Sequence, residues 1–271
     1  MITKQPAGEF PGEGYAVRVC DVIDLNADLG EGSIEDGDGV DEGLIPWVSS
    51  ANIACGLHAG DPVLAAHTIV IAKAQGVALG AHPGWPDRMA FGRKSQSHPA
   101  HETQAIVGYQ LGALGALVRA AGGRLHHVKP HGALYHQASV DPAYALPIIE
   151  AMVAFDPGLW LYAPDPSVLA ALARERGLRV VPEGFADRRY EADGTLTLRT
   201  RPDALIHDPE EALRQVIGIV RERRVVGRGG ERIPCNARTI GLHGDGSRAA
   251  ALARRLAEGL GQAGITIRAP G

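Results

Sequence analysis

Seven times along this chain a short apolar run gives way to a polar, glycine-bearing loop, and then to a stretch with helical apolar spacing. Strands are expected at 22–26, 50–54, 77–80, 125–129, 159–162, 178–181 and 239–242. Helices are expected over 40–48, from Asp61 to about Gln75, over 101–121, after Asp141-Pro142, from Asp165-Pro166 to Gly177, after Asp208-Pro209, and over 247–263. An aspartate before a proline is a strong helix start, because the carboxylate accepts from free backbone N–H groups and proline fits the first helical position. Regular alternation of strand and helix builds a parallel sheet. Seven repeats favour an α/β fold closed as a seven-stranded (β/α) barrel, a distorted TIM-like form, over a doubly wound open sheet. Residues 1–20 read as an N-terminal arm and 21–271 as a single barrel domain carrying the catalysis. The glycine- and arginine-rich stretch 225–236 fits no element, and Asp193-Gly194 reads as a hairpin turn between Tyr190 and 196–198.

Composition narrows the function. The net charge is -4 with 21% charged residues, so clustered basic charge for nucleic acid is lacking. Cys20, Cys55 and Cys235 form no Cys-x-x-Cys pair, which argues against a zinc ribbon or redox centre and fits a reducing cytoplasm. The first 20 residues lack the apolar core of a secretory signal. No apolar run reaches the ~20 residues of a membrane span. Neither a Gly-x-x-x-x-Gly-Lys-Ser/Thr loop nor a Gly-x-Ser-x-Gly elbow is present, so a Walker-type nucleotide site and a serine hydrolase are both disfavoured.

The strand ends carry the chemistry. In parallel α/β folds the ligand sits at the C-terminal ends of the strands. Those ends hold Asp24, Asn26, Asp28 and Glu31; Asn52 and His58; His82, Asp87 and Arg88; Lys129 and His131; Asp187, Arg188 and Arg189; and His243 with Asp245. Burying so many polar groups costs stability unless they are paired, so six such ends on one face point to a site. Asp24 lies inside its strand, where a structural role is as reasonable as a chemical one. Lys129 either pairs with Asp28 or Glu31 or binds an anion. His243-Gly244-Asp245-Gly246 leads straight into a helix, where free N–H groups favour phosphate. Asp28, His58 and His131 are a conceivable metal set, but no local spacing supports it and no metal is assigned. His98, His101, His126 and His207 read as surface or packing residues, and His127 and His136 receive no catalytic role.

Several of these stretches together resemble the LamB/YcsF family: 24–32, 49–61, Gly80-Ala81-His82-Pro83 with Pro86-Asp87-Arg88 and Phe91-Gly92-Arg93, 127–132, 185–188 and 242–246. Leu57 stands where the family often has phenylalanine, and Arg189 where it often has glycine. The resemblance implies a barrel related to the glycoside hydrolase/deacetylase group. It implies a cytoplasmic enzyme that opens 5-oxo-L-proline to L-glutamate with hydrolysis of ATP, ATP and Mg2+ being the cofactors. Two partner subunits, B and C, would share the work, and self-association is left open. Opening a stable lactam needs a base for water, donors for the oxyanion and a cation for the substrate carboxylate. On that basis Asp28 or Glu31 is the expected base, and His58, His82 and His131 the oxyanion donors or proton shuttles. Lys129 and Arg88 are expected to bind carboxylate or phosphate. Asn26, Asn52, Asp187, Arg188 and the 243–246 loop would line the substrate and phosphate positions. The rival readings are a metal-dependent amide or ester hydrolase and a non-catalytic substrate-binding subunit.

Overall fold

The computed structural model describes residues 21–32, 40–242 and 249–271. The expected arm over 1–20 and the expected phosphate loop His243, Gly244, Asp245 and Gly246 lie outside the described residues.

Seven parallel strands close into a barrel: β1 (Val22–Leu29), β2 (Ser50–Ala54), β3 (Ala78–His82), β4 (His127–Val128), β5 (Trp160–Ala163), β6 (Arg179–Phe185) and β9 (Thr239–Leu242). Closure is made by β9, which pairs with β6 through Glu183↔Thr239 and with β1 through Asp24↔Thr239. Side chains alternate across each strand. In β1, Ile23, Leu25, Ala27 and Leu29 belong to the apolar core, while Asn26 and Asp28 both reach Lys129 on the far wall of the barrel. The interior of this barrel is therefore polar, and its apolar mass lies between the strands and the surrounding helices.

Those helices are α1 (Val40–Leu44), α2 (Pro62–Ala74), α3 (Ala100–Ala120), α4 (Gly132–Val140), α5 (Pro142–Phe155), α6 (Val168–Glu175), α7 (Pro209–Glu222) and α8 (Ala249–Gln262). Asp61, Asp141 and Asp208 cap α2, α5 and α7 as expected, each accepting from backbone N–H groups ahead of a first-turn proline. At α6 the cap is Ser167, which accepts from Ala170 N, whereas Asp165 pairs with Arg174. A 3-10 turn, Ile45–Trp47, completes the first helical segment.

Several elements depart from the pattern expected of the sequence. Helix α4 is an addition to it: it starts at Gly132, with φ +53°, behind His131, which makes no side-chain cap. The chain then bends by 112° into α5 at the Asp141-Pro142 junction. Strand β6 runs four residues further than expected, through Pro182, Glu183, Gly184 and Phe185. The unassigned stretch after α7 is a small antiparallel hairpin of β7 (Arg224–Val226) and β8 (Arg232–Pro234). The expected turn at Asp193-Gly194 is present, with Tyr190 bridged to Leu196. A last short strand, β10 (Thr266–Ile267), lies parallel to the start of β1. No single described helix is long and apolar enough to cross a membrane.

Candidate functional site

The barrel interior is a stack of polar layers that ends in a cluster of imidazoles. At the base, Asp24 accepts from Ser49 Oγ (2.6 Å), Ser50 Oγ (2.8 Å) and Thr239 Oγ1 (2.5 Å). Burial raises its pKa, and the hydroxyl donors only partly offset that. Asp24 ties three strands together and has a structural role.

Above it, Lys129 Nζ donates to Asp28 Oδ1 (2.9 Å) and Asn26 Oδ1 (3.1 Å), and lies 3.1 Å from Glu183 Oε1. An ammonium has three N–H donors, and three acceptors surround this one. Burial works against its charge, but Asp28 and Glu183 outweigh burial and raise its pKa. The two alternatives for Lys129 thus resolve in favour of the ion pair with Asp28; no donor remains for a substrate carboxylate. Asn26 donates to Glu183 Oε1 and Thr239 Oγ1, and its carbonyl accepts from Asn52 and Lys129. Asn52 in turn donates to Asp28 Oδ1, and its carbonyl is 2.8 Å from His127 Nε2. Both asparagines, expected to contact substrate, are fully buried, and their described bonds hold the barrel interior together. His127 stacks on Tyr162 at 4.1 Å, beneath the site.

At the strand ends, Glu31 follows β1, His58 lies in the turn after β2, His82 ends β3, and His131 precedes α4. Glu31 Oε1 is 3.2 Å from His58 Nε2, 3.3 Å from His131 Nδ1 and 3.8 Å from His82 Nε2. His82 Nε2 is also 3.0 Å from His131 Nδ1 and 3.5 Å from Asp28 Oδ2. His58 and His131 stack in parallel at 3.9 Å, with Phe91 edge-on to both. The three imidazoles are almost wholly buried, while the Glu31 side chain keeps 14% exposure. Burial alone would raise the Glu31 carboxyl, but the His131 and His58 ring nitrogens packed against it overcome that and hold the group at about 2. Burial pushes His58 down to about 4. His82 moves the other way: burial opposes its charge, but Asp28 and Glu31 prevail and raise its pKa. A carboxylate that readily ionises thus sits beside one imidazole that resists protonation and another that favours it, an arrangement able to accept one proton and supply another.

The surrounding loops hold this geometry. A methyl on Gly84 would lie 2.6 Å from His58 Nδ1, and one on Gly92 would lie 2.9 Å from His131 Cδ2. Only glycine leaves room for the rings. Gln110 fixes the loop by bonding both Gly84 N and Gly84 O. Arg88 Nη1 donates to Gly56 O and Gly60 O, so this expected anion-binding residue braces the turn that carries His58. Arg188 is buried and donates to Thr197 O, and Asp187 O accepts from Ile206 N. Their described bonds hold the loop after β6 in place. Glu183 and Tyr135 belong to the network although the sequence reading passes over them; Tyr135 donates to Glu183 Oε2 at 2.6 Å. The signal for Glu183 is its parity with Val181 and Phe185, which Pro182 conceals by looking like a strand end.

A closed parallel β/α barrel with a buried carboxylate–imidazole cluster at its C-terminal strand ends defines the class: a barrel protein with an acid–base site built from several strand ends. The chain matches the LamB/YcsF family over residues 23–271 and belongs to that family. A protein of Methylococcus capsulatus, named as the A subunit of 5-oxoprolinase, is 53% identical over 249 residues, 92% of this chain and 96% of the relative. One of the same name from Tolumonas auensis is 49% identical, over 91% of this chain and 98% of that one. Among solved structures, the lactam utilization protein of Thermus thermophilus matches with a TM-score of 0.87 at 44% identity, covering 92% of this chain and 100% of its own.

Proposed function

We propose that this chain is the A subunit of a 5-oxoprolinase, which opens 5-oxo-L-proline to L-glutamate with hydrolysis of ATP to ADP and phosphate, together with two partner subunits in the cytoplasm. The relatives that carry this name support the assignment. The observation that carries the chemistry is the Glu31 carboxylate set among His58, His82 and His131.

Ring opening adds water to the lactam carbon and breaks its bond to nitrogen. Water must lose a proton as it attacks, and the departing nitrogen must gain one. Glu31 is the base. It is ionised and partly open to solvent, whereas Asp28 is tied to Lys129 and Asn52. His82, whose affinity for a proton is raised, returns the proton to nitrogen. His58 and His131 shape the wall against which the five-membered ring lies. ATP, with Mg2+, would supply a phosphoryl group to the lactam oxygen, making the ring carbon a better electrophile, and that group would leave as inorganic phosphate when water completes the hydrolysis to glutamate.

The test is reconstitution of the purified chain with its two partner subunits, following glutamate and ADP. The proposal expects both products only when all three proteins, 5-oxoproline and ATP are present. Glutamate formation that is unchanged when this chain is left out would sink it.

A further inference from the structure

We propose that Glu31, His58, His82 and His131 form a binding site for one transition-metal dication of the zinc class. One donor atom from each of the four residues lies within 4.8 Å of the others. A zinc ion with bonds of about 2.0–2.1 Å in a tetrahedron holds its donors about 3.3 Å apart. Four of the separations here bracket that value, at 3.0, 3.2, 3.3 and 3.8 Å.

The outer faces of two rings supply an independent argument. His82 Nδ1 lies 2.6 Å from Lys129 O, and His131 Nε2 lies 2.8 Å from Phe91 O. A carbonyl only accepts, so each of these nitrogens carries its ring's proton. The inner nitrogens, His82 Nε2 and His131 Nδ1, are then both bare in the neutral rings, yet they face each other at 3.0 Å beside a carboxylate oxygen. Two lone pairs so placed repel unless a metal cation or a shared proton lies between them. Histidines that bind metal through one nitrogen and donate the other N–H to a carbonyl show this same outer pattern. His58 Nδ1 is buried without a partner, so no outer acceptor dictates its tautomer and its inner Nε2 is free to be bare as well.

Charge points the same way. Asp28, Glu31 and Glu183 contact one ammonium, Lys129, and the three imidazoles. With the three imidazoles neutral, two formal negative charges are left over in a mostly buried pocket, and a dication balances them. Three imidazoles and one carboxylate suit zinc, iron or cobalt, whereas magnesium and calcium prefer oxygen donors. The ion would sit in the site the lactam reading uses, and Nε2 of His82 can carry the ion or a proton but not both. Its binding stands without that reading, since neither substrate nor partner is needed to measure it.

The experiment uses the full chain alone. After treatment with a chelator and dialysis, it is titrated calorimetrically with Zn2+, and the metal retained is counted by mass spectrometry. One equivalent should bind, and Glu31→Gln and His82→Gln should each weaken binding by about 100-fold or more. His67→Ala, which removes an exposed His–Glu pair with Glu42, should bind like the wild type. Circular dichroism checks that each variant folds, and the wild-type titration is decisive even if a variant does not. Uptake well below one equivalent, or equal affinity in Glu31→Gln, would overturn the proposal and leave a shared proton between His82 and His131. Zinc bound at one equivalent without any glutamate formation in the reconstituted complex would leave this proposal standing and count only against the lactam reading.

Discussion

Replacing Lys129 by methionine removes a buried cation while roughly keeping its volume. Its ammonium lies 2.9 Å from Asp28, 3.1 Å from Asn26 and 3.1 Å from Glu183. The substitution strands two carboxylates and one amide oxygen inside the barrel. Breaking one buried pair costs about 3–5 kcal/mol, and with two carboxylates left behind the upper end applies. For a chain of this size each kcal/mol moves Tm by roughly 2–4 °C, so the expected fall is roughly 10–20 °C. Because the folded pKa of Lys129 is raised above its ordinary 10.5, its contribution is complete below that value and is lost only as pH climbs past the raised one. The deficit should therefore stay flat from about pH 6 to 9. Urea denaturation of both proteins measures it. A second variant, Lys129→Met with Glu183→Gln, should recover about 1 kcal/mol or more, since it neutralises one of the stranded charges. A loss below about 1 kcal/mol, or no recovery in the double variant, would refute the claim that Lys129 is the keystone of the interior network.

Two further outcomes follow from the same interior. Gly80→Ala places a methyl into the imidazole of His127; with Tyr162 stacked behind that ring, it should destabilise by about 1–3 kcal/mol, read by thermal unfolding, and an unchanged Tm would contradict the packing. Asp24 has a raised pKa from burial, so the folded state holds its proton more tightly than the unfolded state does. Wild-type stability should then fall as pH rises from its ordinary value of 3.8 through the raised one. Asp24→Asn should remove that part of the slope in denaturation curves taken across acid to neutral pH, and an unchanged slope would show that Asp24 is not its source.

Much of this arrangement is legible in the chain, because alternation and caps are local signals. The seven strands, the helix starts at Asp61, Asp141 and Asp208, and the convergence of Glu31, His58, His82 and His131 all follow from residues that read the same way alone as they do folded. What is not legible depends on partners far away in sequence. Lys129 reads as a partner of Asp28 or Glu31 or as an anion binder, and nothing local announces that Glu183 reaches it from β6. Asn26 and Asn52 look like ligands until the opposite wall fills their donors and acceptors. That Arg88 also braces the His58 turn, through two of its carbonyls, shows only in the fold. Helix α4 has no capping side chain to announce it, and Pro182 masks the end of the strand pattern in β6. In each case a tertiary contact outweighs a local cue.

The central claim is that the Glu31 cluster opens the lactam. The most direct measurement compares wild type with Glu31→Gln in the complex reconstituted with both partners, under saturating 5-oxoproline and ATP, following glutamate. The account predicts that the variant folds and assembles but forms glutamate about 100-fold more slowly or worse, the usual scale for a general base. Wild-type turnover in Glu31→Gln would contradict it.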